Sequence, residues 1–192
     1  PSDAQQQDYF GWSIDSYQDG SYFVVGAPDG DVNGIKSGYA FVFDSALNEI
    51  QKYYPSVKQA GDKFGYSVAI SYFNFELIVG VGAPRSNNDY GKVYLFQGST
   101  ENIFNPADKL GFGFSVDTNE CGSMLVASSL PYNHSYEPTT GQTQIYLRVD
   151  ATTWQESIKF NGIESDDGYG YAVNMTESGS HFIVGAPYYN NQ

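Results

Sequence analysis

Short apolar runs separated by polar turns recur along the whole chain. The stretch at 10–28, FGWSIDSYQDGSYFVVGAP, contains two such runs, rich in Val, Tyr and Phe, with a polar turn between them. Runs of about four to eight residues bounded by Gly, Asp and Pro are typical of β-strands. Because no window shows a sustained apolar stripe with helical spacing, the pattern predicts an all-β fold.

The same arrangement occurs four times, opening at Phe10, Phe64, Phe112 and Tyr169. The later copies read FGYSVAISYFNFELIVGVGAP, FGFSVDTNECGSMLVASSLP and YGYAVNMTESGSHFIVGAP, and the openings lie 54, 48 and 57 residues apart. Each full unit adds a third apolar run (GYAFVF, GKVYLF and QIYLRV) and a weaker fourth (EIQKYY, NIF and TWQESIKF). Four short antiparallel strands in a unit of about 50 residues are typical of one blade of a β-propeller.

The glycines and prolines of the repeat have structural explanations. We expect the glycine after each opening aromatic residue to start the innermost strand, where close backbone approach or a positive φ excludes a Cβ. The aromatic residue should pack between neighbouring blades, and Gly-Ala-Pro should end the second strand. The positions assigned to this structural repeat are Phe10, Gly11, Gly26, Pro28, Phe64, Gly65, Gly82, Pro84, Phe112, Gly113, Tyr169, Gly170, Gly185 and Pro187.

Phe-Gly opening one strand and Gly-Ala-Pro closing the next resembles the FG-GAP repeat of integrin α-subunit propellers. Similar repeats occur in the propeller of glycosylphosphatidylinositol-specific phospholipase D. The resemblance covers about residues 9–192, although the second repeat carries an inserted residue (VGVGAP) and the third departs (VASSLP). It implies blades with four antiparallel strands each, arranged in a seven-bladed ring.

We therefore predict a single partial propeller over 1–192. Its blades are expected at about 10–60, 61–108 and 109–165, with a half blade at 166–192. A seven-bladed ring needs about 350 residues, so the missing blades should come from the same chain or from partner proteins. The segment alone is expected to pair or aggregate, because an uncovered blade flank is apolar and an unpaired strand edge recruits other strands.

Charge and cysteine content exclude several classes of function. The chain carries 22 acidic and 9 basic residues, a net charge of −13, which disfavours binding to nucleic acids and anionic lipid surfaces. No apolar run approaches the roughly 18 residues of a membrane-spanning helix, so we predict no direct membrane insertion. The single cysteine, Cys121, cannot form an internal disulfide. The absence of an initiator Met or signal peptide indicates a mature or excised segment.

The sequence offers no recognisable catalytic group. Its two histidines, His134 and His181, lie outside any nucleophile motif such as G-x-S-x-G, and the carboxylates form no evident acid–base pair. We predict that the chain is not an enzyme, has no catalytic residue and needs no cofactor.

Calcium is the one cofactor that the sequence suggests. The integrin resemblance implies D-x-D-x-D-G loops between first and second strands, but the first such turn has only Asp15 and Asp19, spaced by four, and the others lack alternating oxygen ligands. The stretch DGDVNG at 29–34 matches D-x-D-x-N-G, with Asp29, Asp31 and Asn33 as candidate ligands. An ordinary Asn/Asp/Gly turn would have the same composition, so both interpretations stay open.

Two sequons suggest a glycoprotein. Asn133 and Asn174 each begin an N-x-[ST] sequence, and we expect both in loops or at strand ends. Together with the integrin resemblance, they favour an extracellular or cell-surface location reached through the secretory pathway.

The loops after Gly-Ala-Pro are the candidate ligand face. In integrins this face binds ligand, and Tyr, Asn and Asp suit adaptable recognition, although polar turn chemistry alone would explain the same residues. The candidate residues are Arg85, Asn87, Asp89, Tyr132, Tyr136 and Tyr188.

The sequence predicts an extracellular non-enzymatic module for protein interaction, adhesion or assembly. The alternative is an accessory propeller of a secreted or surface hydrolase whose catalytic domain lies outside this segment. A third possibility is a structural part of a large assembly, in which other subunits cover the open blade edges.

Overall fold

The fold is all-β. The computed structural model describes residues 5–32, 35–106, 110–130, 140–150, 152–164 and 167–189, and every regular element within these ranges is a β-strand. Over the same ranges, no helix reaches the length and apolarity that a membrane span requires.

Three four-stranded antiparallel sheets and a two-stranded one follow each other along the chain. Blade 1 has the order β1–β2–β5–β6, and a small hairpin, β3–β4, follows β2. The strands of blade 1 and this hairpin are β1 (Ser13–Ser16), β2 (Tyr22–Ala27), β3 (Asp31–Val32), β4 (Ile35–Lys36), β5 (Tyr39–Asp44) and β6 (Glu49–Tyr53). Blade 2 consists of β7 (Ser67–Phe73), β8 (Glu76–Ala83), β9 (Lys92–Gln97) and β10 (Thr100–Phe104). Blade 3 consists of β11 (Phe112–Thr118), β12 (Met124–Ser129), β13 (Gln142–Arg148) and β14 (Trp154–Asn161). A fourth unit consists of β15 (Val173–Met175) and β16 (Phe182–Val184). The predicted fold class, an incomplete propeller of four-stranded blades, is confirmed.

The aromatic residues of the Phe-Gly pairs fill the interfaces between blades. Phe64 is completely buried, with its ring centroid 5.2 Å from that of Tyr94 and 6.0 Å from that of Phe96;. This aromatic face of blade 2 packs against Val24 and Val42 of blade 1 in one core cluster. Phe112 is equally buried, between blades 2 and 3. At these two interfaces, the face that carries Phe64 or Phe112 packs against aliphatic side chains of the preceding blade and against one of its rings, Tyr53 or Phe104.

Blade 1 presents the same aromatic face uncovered. Phe10 contacts Phe41 and Phe43 at centroid distances of 5.7 and 6.1 Å, as Phe64 contacts its own two rings. Yet Phe10 is 39% exposed, because no described residue packs in front of it. The expectation that Phe10 lies between two blades is therefore not met in this structure. We call this surface, formed by Phe10, Ile14, Phe23, Val25, Phe43 and Leu47, the open face.

Paired glycines bring successive blades into backbone contact. A Cβ at Gly82, at the end of β8, would lie 2.0 Å from the carbonyl oxygen of Gly113 in the next blade. Gly26 has the same relation to Gly65. The Ser67 hydroxyl donates to the Gly113 carbonyl oxygen at 2.8 Å. The close neighbour of Gly82 and Gly26 is thus the backbone of the next blade.

The glycine of each aromatic-glycine pair also adopts a conformation that L side chains rarely take. The φ angles are +90° at Gly11, +88° at Gly65, +88° at Gly113 and +91° at Gly170. This turn lets the amide of Gly65 donate back to the Gly82 carbonyl of its own blade at 3.1 Å. Pro28 and Pro84 directly follow β2 and β8, whereas Gly185 and Pro187 lie just beyond β16.

The departure of the third repeat changes the last junction. Ser128 lies opposite Thr143 in the β12–β13 pairing, as Gly82 lies opposite Val93 in blade 2. Ser128 therefore occupies the position that Gly82 has in blade 2. Ser128 Oγ accepts a hydrogen bond from the Ser115 amide at 3.0 Å. Ser115 Oγ in turn accepts from the Val173 amide, instead of donating to the next blade's glycine. A serine at the glycine position thus replaces the backbone contact with side-chain hydrogen bonds.

We expect Phe64→Ala to lower the free energy of unfolding by about 3–5 kcal/mol, because it empties a fully packed interface. The matched control is Phe10→Ala, which removes the equivalent but half-exposed ring and should cost about 2 kcal/mol or less. Denaturant unfolding of both variants makes the comparison. A loss under about 0.5 kcal/mol for Phe64→Ala would refute the interface role.

We expect Gly82→Ala to destabilise the chain by about 2–4 kcal/mol, because its Cβ would overlap the Gly113 carbonyl. Gly80→Ala, two residues earlier on β8, adds a methyl group with only ordinary contacts of 3.7 Å or more and should stay within about 1 kcal/mol of the parent. Thermal unfolding of the two variants tests the contact. Equal melting temperatures would contradict it.

Candidate functional site: an aromatic arc at the blade junctions

The residue that follows each aromatic-glycine pair is itself aromatic in all four repeats. These residues are Trp12, Tyr66, Phe114 and Tyr171. Their ring centroids are separated by 5.4, 5.1 and 5.6 Å in sequence order, so the side chains form a continuous row across the blade junctions;. We call this row, with the two flanking tyrosines described next, the aromatic arc.

Two further tyrosines extend the row at its ends. Tyr9 contacts Trp12 edge to face at 6.0 Å, and Tyr188 contacts Tyr171 at 6.4 Å. Trp12 is 51% exposed and Tyr171 is 47% exposed, and both end tyrosines are exposed as well. Each ring is held by its neighbours while part of its surface remains accessible. Held aromatic surface of this kind loses little conformational entropy on binding a partner.

Three of the predicted ligand-face residues, Arg85, Asn87 and Asp89, have polar partners outside the aromatic arc. The Arg85 Nε and the Asp89 carboxylate form an ion pair at 3.0 Å, and the Asn87 amide donates to Asn105 Oδ1 at 3.1 Å. Of the predicted set, Tyr188 joins the aromatic arc. Tyr132 and Tyr136 lie outside the described residues.

The aromatic arc was not identified from sequence, although a signal for it exists. Alignment of the repeats shows an aromatic residue directly after every aromatic-glycine pair. The sequence instead favours the polar loops after Gly-Ala-Pro as the ligand face, because binding residues are often found on polar, variable loops. Because the aromatic residue directly follows a structural motif, its type alone does not distinguish an exposed binding residue from a core residue.

The candidate calcium ligands have other partners. Asp29 forms an ion pair with the Lys63 ammonium, and Asp31 lies in the β3–β4 hairpin opposite Lys36. Asn33 lies outside the described residues. Within the part of the chain that the structure describes, no three His, Cys, Asp or Glu side chains come close enough to hold a metal ion. Calcium binding at 29–34 stays a prediction, with the Lys63 ammonium as a competitor for Asp29.

One predicted glycosylation site has an unexpected position. Asn174 is the exposed middle residue of β15, not a loop or strand-end residue, and it lines the cavity described below. The repeats place this residue at the position of Asp15 and Asp117. Asn133 lies outside the described residues. Glycosylation at both positions stays a prediction.

Two carboxylates of innermost strands reach across blade junctions. Asp15 Oδ2 accepts a hydrogen bond from the Ile70 amide of blade 2 at 2.8 Å, and Asp117 Oδ2 accepts from the Met175 amide of the fourth unit at 2.6 Å. Both carboxylates line a cavity of about 230 Å³ that is bordered by residues of the innermost strands of the blades. Glu120 also lines this cavity. Burial raises the pKa of Asp15, and it raises the pKa of Asp117 to about 6. These acids therefore connect blades at the cost of a desolvated charge.

Comparison with known proteins identifies the repeat. A family model described as FG-GAP repeat matches residues 1–43 and 47–96. The first match ends within β5, and the second covers β6 of blade 1 and then blade 2 as far as Phe96 in β9. No curated protein matches the chain.

The raised pKa of Asp117 predicts a pH-dependent stability. The folded state holds the proton more tightly than the unfolded chain, so this contribution is fully present below about pH 4 and is lost as the pH rises through about 6. Between these values, the wild type should lose about 2–3 kcal/mol of unfolding free energy relative to Asp117→Asn, whose amide oxygen can still accept from the Met175 amide.

Chemical denaturation at pH 4, 5, 6 and 7 measures this difference. The control is Asp19→Asn, which removes the same charge from an exposed turn. This variant should show the same fall in unfolding free energy between pH 4 and pH 7 as the wild type, because Asp117 is still present. Parallel pH profiles for wild type and Asp117→Asn would contradict the assignment.

Proposed function

We propose that this chain, in which FG-GAP repeats match residues 1–43 and 47–96, is an extracellular, non-enzymatic module that binds partner proteins through the face carrying the aromatic arc. FG-GAP repeats are found in adhesion proteins and other extracellular propeller proteins, which supports this class of function. The proposal includes localisation through the secretory pathway.

The aromatic arc is the observation that carries the proposal. Aromatic side chains dominate the binding energy of many protein interfaces because they bury a large area at low entropic cost. Here such residues recur at one position of every repeat and remain accessible, although that position is next to the tightly packed blade junctions. The net charge of −13 favours partners with a basic surface around the contact.

We propose no catalytic role for the histidine that the structure describes. His181 Nδ1 lies 2.9 Å from Ser180 Oγ, but both residues belong to the exposed turn between β15 and β16. The neighbours of Ser180 Oγ are Ser178 and Thr176, at 2.8 and 3.5 Å, and these hydroxyls cannot orient an imidazole as a carboxylate does.

The open face is the second part of the proposed interaction. It forms an apolar depression of about 320 Å³ on blade 1. On blade 2 the equivalent surface around Phe64 is covered by the face of blade 1 that carries Val24, Val42 and Tyr53. We therefore propose that a further propeller blade, from the same protein or from a partner, covers the open face.

Binding measurements against purified extracellular domains test the proposal. We expect Trp12→Ala and Tyr171→Ala to lower the affinity for a bound partner at least tenfold, because each removes an accessible ring of the arc. The control is Phe75→Ala, which removes a 93% exposed ring from the β7–β8 turn at the opposite end of the inner strand. A partner that binds the arc variants as well as the wild type would contradict the assignment of the face.

A further inference from the structure

A small pocket lies at the start of the aromatic arc, where blade 1 meets blade 2. Its volume is about 180 Å³. Four of its six lining residues are aromatic or proline, and the other two are oppositely charged. The lining residues are Tyr9, Trp12, Pro28, Asp29, Lys63 and Tyr66.

Backbone strain marks this pocket as different from the equivalent places in the other blades. The residue before each aromatic-glycine pair has a positive φ, and in the third and fourth repeats it is glycine, with φ of +75° at Gly111 and +70° at Gly168. In the first two repeats it is Tyr9 and Lys63, with φ of 55° and 62°. Glycine accepts this conformation without strain, whereas residues with a Cβ do not. Strained residues of this kind cluster at ligand sites.

Both strained residues contribute side chains to the same pocket. Tyr9 and Lys63 come from different blades, and each occupies the position where a later repeat has glycine. Since the third and fourth repeats fold with glycine at this position, the side chains of Tyr9 and Lys63 are not needed to form the blades. Their joint presence around one pocket points to a binding role for it.

The lining chemistry defines the kind of ligand. The rings of Tyr9 and Trp12 meet at an interplanar angle of 85° and form a corner that is half open to solvent. Beside it, the partly buried ammonium of Lys63 and carboxylate of Asp29 form an ion pair. The corner offers flat apolar surface, the ammonium donates hydrogen bonds, and the carboxylate accepts them. A pyranose ring combines the complementary features, namely a face of polarised C–H groups and a rim of hydroxyls.

We propose that this pocket binds one neutral pyranose unit of a glycan, with the C–H face of the sugar on Trp12 and its hydroxyls at Asp29 and Lys63. A net charge of −13 disfavours acidic sugars. A cationic ligand would have to displace Lys63 from Asp29. This inference rests on the proposed function, because it identifies glycans of extracellular partners as one ligand of the same face.

Titration of the whole chain with neutral methyl hexopyranosides tests the proposal. Trp154→Phe leaves Trp12 as the sole tryptophan, so that fluorescence and ligand-observed NMR report on the pocket. We expect at least one glycoside to bind saturably. Trp12→Ala and Lys63→Met should each weaken its binding at least tenfold in the NMR assay, whereas Phe75→Ala should leave it unchanged.

Failure of this proposal is distinguishable from failure of the proposed function. Absence of saturable binding by every glycoside, or binding that is unaffected by Trp12→Ala, would overturn the sugar site. Binding of tetramethylammonium in place of the glycosides would overturn it in favour of a cation site. If arc-dependent protein binding persists after the partner's glycans are removed and no glycoside binds, the sugar site fails while the proposed function stands. If neither glycosides nor proteins bind, both fail.

Discussion

The structure depends on the contact between two glycines in neighbouring blades. The carbonyl of Gly113 lies where a side chain at Gly82 would begin, and the Ser67 hydroxyl donates to the same oxygen. This contact sets how closely the backbones approach. The approach in turn buries Phe112 completely and brings Tyr66 and Phe114 within ring contact. The core and the aromatic arc are thus consequences of one backbone-to-backbone approach.

The carboxylates of the inner strands provide a second connection between blades. An innermost strand is the edge of its sheet, so amides such as those of Ile70 and Met175 need acceptors from outside the sheet. Asp15 and Asp117 supply them from the preceding blade. Ala69 occupies this position in the second repeat, so the carboxylates supplement the glycine contact in only some blades. At the junction where Ser128 replaces glycine, Asp117 and Ser115 provide side-chain hydrogen bonds, and Gly141 keeps a close backbone approach to the Tyr169 carbonyl oxygen.

The repeat architecture could be predicted from sequence because its signals are local. Strands such as β5 follow their glycine directly, and the turn residues mark their ends. The start of β13 at Gln142 lies two residues before the predicted run, since its first residues are polar yet buried. Three repeats also share a buried aspartate that is not among the residues predicted from the sequence. Asp8, Asp62 and Asp167 each lie two residues before an aromatic-glycine pair, and all three are buried.

The candidate site could not be predicted in the same way because it forms between repeats. Asp29 and Lys63 are 34 residues apart and belong to successive repeats, and only the stacking of blades brings them together. The repeat pattern shows which residues share a position, but not that Tyr9 reaches the same pocket as Lys63. The strain at these residues is likewise invisible in sequence, since Tyr and Lys are ordinary residues until their φ angles are known.

The difference between the two faces of each blade gives the stack a direction. At the first two junctions, the face built around Phe64 or Phe112 receives the opposite face of the blade before it, so a second open face related by a two-fold axis would not reproduce this contact at blade 1. Any subunit that covers it must associate head to tail, through a heterologous contact. Contacts of that type end either in a closed ring or in an open filament, and the rotation between successive blades decides which. The geometry of the glycine contact therefore controls the size of the assembly as well as the stability of each junction.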